Sequence, residues 1–399
     1  MKLSTDRILT THVGSLPRDP ALSELLIASE SKEIDPAKLD SLASAGVDHV
    51  VQKQVESGID VISDGEQPRV SFMTYVAQRF EGYSGASERP LFPDFTKYPD
   101  FAALFANRGM KASKLFDAPM ATSEINYRDL TPAVKECDMF DTALAKHRGK
   151  VTEAFMTAAT PGIVSTTLLN KYYDSRRNYL RALSRELKKE YDLIHKRGYV
   201  LQLDAPDLAF DRNNAFKSLN AKDFNREMEV NIEAINTAIA DIPPSQVRLH
   251  ICWGNYDGPH DSDIDLADIL PFIYEANVGA YSIEFANPRH QHEYEAIKKN
   301  PLPRDKTLIP GVLDSTVNYV EHPHVVRNRI LEAVDAVGDR ERVIAGTDCG
   351  FGTLAGWELV APSLVWKKFE SMSEGARLAS DALWGRNAGC GLSARAARA

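Results

Sequence analysis

VRLHICWG, residues 247–254, starts as an apolar β-like run and carries a histidine and a cysteine two positions apart. Side chains at i and i+2 leave the same face of an extended strand, so His250 and Cys252 point together. Glu284 and Cys349 fall at or just beyond the ends of two later apolar runs, 280–285 and 343–346. One imidazole, two thiolates and one carboxylate make a zinc donor set, and the carboxylate is the ligand a substrate could displace. Groups so far apart in sequence meet only if the strands carrying them close into one body.

Outward from this stretch, eight short β-like segments recur at 9–13, 60–63, 154–158, 200–203, 247–252, 280–285, 308–312 and 343–346. Amphipathic stretches with apolar residues at three and four spacing lie between and after them, at 177–197, 222–240, 263–276, 324–337 and 361–382. Eight such alternations predict an α/β fold, a (β/α)8 TIM barrel. An open doubly wound sheet would carry a glycine-rich phosphate turn after its first strand, and HVGSLPRD at 12–19 has one glycine. The stretch 80–150, rich in proline, aspartate, lysine and aromatic residues, exceeds an ordinary loop. It reads as an insertion after the second strand, within a single catalytic domain over 1–399, and its place on the catalytic face would let it cover a substrate.

The net charge of −9 argues against a nucleic-acid partner, which needs a basic surface. No apolar run approaches the roughly 20 residues of a membrane span, and 1–11 lacks a signal-peptide core, so a cytoplasmic protein is expected. The four cysteines, at 137, 252, 349 and 390, are too few for a disulfide scaffold in a chain this long. Cys137 and Cys390 have no ligand-type companions and read as ordinary thiols.

Polar residues gather where the predicted strands end, which is where a barrel holds its active site. They are His12 and Ser15, Asp64 and Glu66, Asp204 and Asp207, His250 and Cys252, Glu284, Asp314, and Asp348 with Cys349. Asp207 and Asp348 read as helix N-caps. His12 and Asp314 are candidates for catalysis or for supporting the ligands, and Glu284 could orient His250 instead of binding metal. Zinc strips the proton from a bound thiol, and an anionic donor set keeps that sulfur nucleophilic. The set therefore favours alkyl transfer to sulfur over hydrolysis.

The segments THVGSLPRD (11–19), ISDGEQPR (62–69), LQLDAP (201–206), HICWG (250–254), SIEF (282–285), GVLDSTVNYVEHP (311–323) and TDCGFGT (347–353) span nearly the whole chain. In order and spacing it resembles cobalamin-independent methionine synthase, specifically the C-terminal catalytic barrel and its short single-barrel relatives. The resemblance implies zinc held by His250, Cys252, Glu284 and Cys349. It also implies an amino-acid thiol, homocysteine in the synthase, held by Ser15, Glu66 and Asp204. Two carboxylates suit an ammonium, and a hydroxyl suits a carboxylate.

Two departures point away from folate as donor. Thr316 stands where the synthase has a proton-donating histidine, and LLNKYY at 168–173 replaces its tryptophan-bearing segment. The duplicated N-terminal barrel of the synthase has no counterpart in this sequence. Among short relatives, core methionine synthases take methyl from a corrinoid protein, and epoxyalkane:coenzyme M transferases open an epoxide with a zinc-bound thiolate. The second reaction needs cations for a sulfonate, for which Arg18, Arg69 and Arg289 are candidates. His290, His292, His322 and His324 could donate a proton to an alkoxide. The expected partners are a small-molecule thiol and an alkyl donor, with homo-oligomerisation as a further expectation. A barrel with a purely structural zinc and a metal-free decarboxylase barrel are the readings from other classes.

Overall fold

The computed structural model describes residues 1–31, 34–87, 92–107 and 117–385. Cys390 lies outside the described residues. Ten strands occur among them: β1 (Leu9–Thr10), β2 (Val61–Ile62), β3 (Phe80–Ser84), β4 (Met120–Tyr127), β5 (Glu153–Ala159), β6 (Val200–Asp204), β7 (Val247–Ile251), β8 (Ala280–Ile283), β9 (Thr307–Leu313) and β10 (Ile344–Thr347). Eight of them form one parallel sheet in the order β1-β10-β9-β8-β7-β6-β5-β2, with β1 and β2 at its two ends. All eight fall inside or overlap the segments expected from sequence. The result is an α/β TIM barrel.

The β1–β2 seam is closed largely by side chains, because both strands are only two residues long. Asp60 accepts the Thr10 N–H at 2.9 Å and holds Arg7 through paired bonds of 2.6 and 2.7 Å. Thr11 Oγ1 donates to the Val61 carbonyl at 2.9 Å. The barrel strands are buried almost throughout, as a sheet covered by helices requires. The covering helices obey helical periodicity: Arg176–Lys196 buries Tyr179, Leu183, Leu187, Tyr191 and Ile194 at three and four spacing, and Ser175 caps it by accepting the Asn178 N–H. The helix expected over 263–276 is shorter, Leu266–Ile273. His260, at φ 51°, instead faces Asp263 Oδ2 through its Nδ1 at 2.9 Å.

Within 80–150, β3 and β4 pair as an antiparallel hairpin. Residues 168–173, the LLNKYY segment, add to its edge: Ala121 N–H donates to the Leu169 carbonyl and Lys171 N–H to the Ala121 carbonyl, both at 2.9 Å. The helix Thr131–Ala145 then packs beside Pro36–Glu56 and Arg176–Lys196 in the outer ring. Two short helices, Pro93–Lys97 and Pro99–Ala106, lie against the loop that follows β7. Asp94 Oδ2 accepts the Tyr256 hydroxyl at 2.7 Å, and Phe92 packs on Phe210 and Tyr256. No helix among the described residues is long and apolar enough to cross a membrane.

Candidate metal centre and cleft

Parallel strands put all eight C-terminal ends on one face, and the donor groups meet there. His250 lies on β7 and Cys252 just beyond it, both inward by the alternation of a strand. Cys349 follows β10, and Glu284 follows β8 directly. Ligand atoms of His250, Cys252 and Cys349 all lie within 4.8 Å of one another, and the two sulfurs are 3.7 Å apart. Glu284 stands beside this trio, its Oε1 accepting the Trp253 N–H at 2.9 Å.

The protonation chemistry of the cluster suits a cation. Burial, helped by the Arg248 charge and opposed by the Ser282 backbone, pulls His250 down to about 3, so the ring is neutral at physiological pH. Neither ring nitrogen has a partner of good hydrogen-bond geometry, although both are buried. A buried imidazole normally satisfies at least one nitrogen. The Cys349 contact and then burial push the Cys252 thiol up. Its hydrogen bond to Cys252 pulls Cys349 down, yet burial and the Glu284 charge leave it raised. Two such sulfurs cannot both ionise at neutral pH without a positive charge between them. An unpartnered imidazole and paired thiols fit zinc by donor chemistry.

This cluster forms the inner end of a cleft. Ser15, Glu66 and Asp204 line the same end, while Phe72, Phe92, Phe210, Tyr256 and Trp357 make the outer walls. Glu66 is aimed by a left-handed turn, with φ 68° at Gly65 and 54° at Glu66, and Asp64 Oδ1 holds that turn by accepting the Glu66 N–H at 3.0 Å. Gly14 lets the Glu66 carboxylate approach, since a Cβ there would stand 2.9 Å from Oε1 and 2.5 Å from Thr157 Cγ2. Burial pushes Glu66 up to about 7 against the pull of Arg69 and Arg18. Burial and then the Glu66 charge push Asp204 well above the usual carboxylate range.

Other expected residues sit outside the cleft lining. His12 donates from Nε2 to Gln54 at 2.6 Å and accepts the Gly14 N–H on Nδ1 at 3.2 Å, which fixes the turn carrying Ser15. Asp314 accepts the Thr316 N–H and hydroxyl, each at 2.8 Å. Asp207 and Asp348 do not act as helix N-caps. Asp207 accepts the Thr160 hydroxyl at 2.6 Å. Asp348 accepts three backbone N–H groups, of Phe285, Ala286 and Asn287, at 2.9, 2.8 and 2.6 Å, and so ties the loop after Glu284 to the residue before Cys349. His322 caps the helix Pro323–Val337 by accepting the His324 N–H.

His290 belongs to a buried network that sequence reading missed. Its Nδ1 faces Glu293 and its Nε2 faces Asp263, both at 3.1 Å, and its ring lies 4.6 Å from that of Trp253. With a carboxylate on each nitrogen, the ring must carry both protons. The hydrogen bonds to Asp263 and Glu293 outweigh burial and raise it to about 10. Its stabilising contribution is therefore complete below the unfolded value near ~6.5 and is lost as pH rises through about 10. Nitrogen-15 NMR at pH 8 should show both His290 ring nitrogens protonated; a neutral ring there would refute the assignment.

A parallel barrel with its reactive side chains gathered at the C-terminal rim is a barrel enzyme, and comparison with known proteins identifies which kind. The chain belongs to the cobalamin-independent synthase family: the profile described as "Cobalamin-independent synthase, Catalytic domain" matches residues 8–90 and 156–368. A methionine synthase of Saccharolobus solfataricus is 22% identical over 376 residues, covering 94% of this chain and 95% of the relative. One of Sulfurisphaera tokodaii is 21% identical, covering 94% and 93%. The fold is shared with a B12-independent methionine synthase of Shewanella sp. W3-18-1 in complex with selenomethionine, at TM-score 0.70, 18% identity and coverage of 95% and 99%. It is also shared with a putative vitamin-B12 independent methionine synthase of Listeria monocytogenes, at TM-score 0.63, 19% identity and coverage of 93% and 98%.

Proposed function

We propose that this protein transfers a methyl group to the sulfur of an amino-acid thiol, homocysteine in the leading reading, with zinc held by His250, Cys252 and Cys349 and with Glu284 as the exchangeable fourth ligand. One observation carries the proposal: two thiols and an unpartnered imidazole converge at the end of a cleft that also presents two carboxylates. Zinc, when bound there, would keep the substrate sulfur as its anion near neutral pH.

The chain's own residues supply binding, orientation and dryness. Glu66 and Asp204 take the substrate ammonium, which favours their ionised forms against the burial that raises them. Ser15 and the turn backbone offer donors to the α-carboxylate. The aromatic walls exclude water and hold the donor carbon in line with the sulfur, the main source of rate in such a displacement. A carbon–sulfur bond forms as the bond from carbon to the donor breaks, and the departing group keeps that electron pair.

The coenzyme M alternative loses its cations. Arg18 donates to the carbonyls of Glu66 and Gly352, Arg69 is paired with Glu136, and Arg289 donates to the His260 carbonyl. Among the described residues lining the cleft there is no lysine or arginine to meet a sulfonate. The metal-free decarboxylase reading leaves the His250 nitrogens unexplained.

X-ray absorption of the zinc-loaded protein should show one oxygen ligand exchanged for sulfur when homocysteine is added. An unchanged shell would reject the exchange and favour a structural metal. Screening methyl donors with homocysteine and, separately, coenzyme M with an epoxide then sorts the chemistries.

A further inference from the structure

Glu66 and Asp204 share an unusual surrounding. Each is buried at the inner end of the cleft, and neither touches a cation through its side chain. Each is instead linked to a buried arginine through one neutral side chain. Thr157 Oγ1 donates to Glu66 Oε1 at 2.9 Å and accepts from Arg69 Nη1 at 3.2 Å, while the same Nη1 donates to the Thr157 carbonyl at 2.8 Å. Gln202 Nε2 donates to Asp204 Oδ1 at 2.7 Å, and its Oε1 accepts from Arg248 Nε at 2.7 Å.

Arg248 is the more telling of the two. It sits inside the barrel, fully buried, and its bonds go to Gln202, to Thr11 Oγ1 at 3.0 Å and to the His12 carbonyl at 2.7 Å, all uncharged acceptors. Its guanidinium lies 3.5 Å from the centre of the Phe155 ring. A buried charge with no carboxylate in direct contact is costly to the fold. A direct salt bridge would occupy the carboxylate and neutralise it, leaving nothing to attract an ammonium. One intervening hydroxyl or amide keeps the arginine charge near, fixes one carboxylate oxygen, and leaves the second for the substrate. Glu66 Oε2 is buried and lacks a partner, as that arrangement requires.

We infer that Arg69–Thr157–Glu66 and Arg248–Gln202–Asp204 are two relays that position the ammonium-binding carboxylates, so that Arg69, Thr157, Gln202 and Arg248 set recognition of the substrate amino group without touching it. This rests on the reading of Glu66 and Asp204 as ammonium contacts. The arginines and both middle residues are positioning residues, and the two relays reach the site from adjacent walls of the barrel, β5 with the loop after β2, and β6 with β7.

The middle residues give the cleanest test, because removing a buried arginine could unfold the barrel. Steady-state kinetics of the zinc-loaded enzyme are measured with homocysteine and with 4-sulfanylbutanoate, the same thiol without its amino group. Thr157→Val and Gln202→Met should each raise KM for homocysteine about tenfold, the lower range for one bond to a charged group, with KM for the des-amino thiol unmoved. Thr157→Ser, which keeps the hydroxyl, should restore the parent KM. Equal losses for both thiols, or no rescue by serine, would overturn the relays and mark the residues as merely structural. Glu66→Gln separates the two levels. If it leaves homocysteine KM unchanged, the ammonium reading fails; if it raises KM while Thr157→Val and Gln202→Met do not, the relays alone fail.

Discussion

Cys252→Ala should lose stoichiometric zinc and with it methyl transfer, by on the order of 10³-fold or more, since replacing groups that only orient metal ligands already costs ~10–100-fold. Cys252 and Cys349 lie 3.7 Å apart beside an imidazole whose nitrogens make no well-formed hydrogen bond, so removing one sulfur leaves a cation two protein donors and an adjacent carboxylate. The remaining Cys349 would no longer share its hydrogen bond with a second sulfur, and burial would keep it protonated. Cys137→Ala is the matched control. That thiol is buried against Met156, its sulfur 3.7 Å from Sδ, and burial pushes it up to about 12, so it offers no thiolate. Metal analysis and thiol-dependent turnover should separate the two variants completely. A Cys252→Ala protein that keeps one zinc per chain and parent turnover would place the metal, and the chemistry, elsewhere.

The barrel and the donor cluster were legible for the same reason: strand parity. Arg248, His250 and Cys252 occupy alternate positions in VRLHICWG, and Gln202 and Asp204 do so in VLQLD, so polar residues share one face of segments that are otherwise apolar. That pattern also held the signal for the relays, because an arginine and a glutamine at inward-facing positions of buried strands demand partners. The ends of β1 and β2 were read as longer than the ladder allows, since Ser63 bonds the Gln54 side chain instead of a neighbouring strand. The cleft walls were not legible. Phe92, Phe210, Tyr256 and Trp357 come from loops separated by tens to more than a hundred residues, and no periodicity relates them. Asp348 misled for a similar reason: the amides it accepts are some 60 residues away in sequence.

Arg79→Met should destabilise the fold by about 3–5 kcal/mol at neutral pH, the cost of breaking a buried ion pair by removing one partner. Arg79 and Arg69 share two carboxylates: Arg79 pairs with Glu136 and, at 2.7 Å, with Glu190, while Arg69 reaches Glu136 at 2.9 Å. Both guanidinium groups lie over the Tyr75 ring, Arg69 4.6 Å and Arg79 4.5 Å from its centre, and the hydroxyls of Tyr75 and Tyr127 both donate to Glu190, at 2.9 and 2.6 Å. This cluster is where the hairpin, the helix Thr131–Ala145 and the outer ring of helices meet. Burial alone would raise Glu136, but the two guanidinium charges outweigh it and hold the carboxyl below its ordinary value. Its contribution is thus complete above the unfolded pKa near ~4.3 and is lost as pH falls through the depressed folded value. In Arg79→Met the sign reverses for a carboxyl left in a dry site with less positive charge. Its folded pKa rises above the unfolded one, so acidification relieves the defect. Urea unfolding at pH 7 and pH 5 should therefore show a large gap between parent and variant that narrows at the lower pH. A gap below about 1 kcal/mol at pH 7, or one that does not change with pH, would mean that the cluster is solvated and that the hairpin is held to the barrel by its apolar contacts alone.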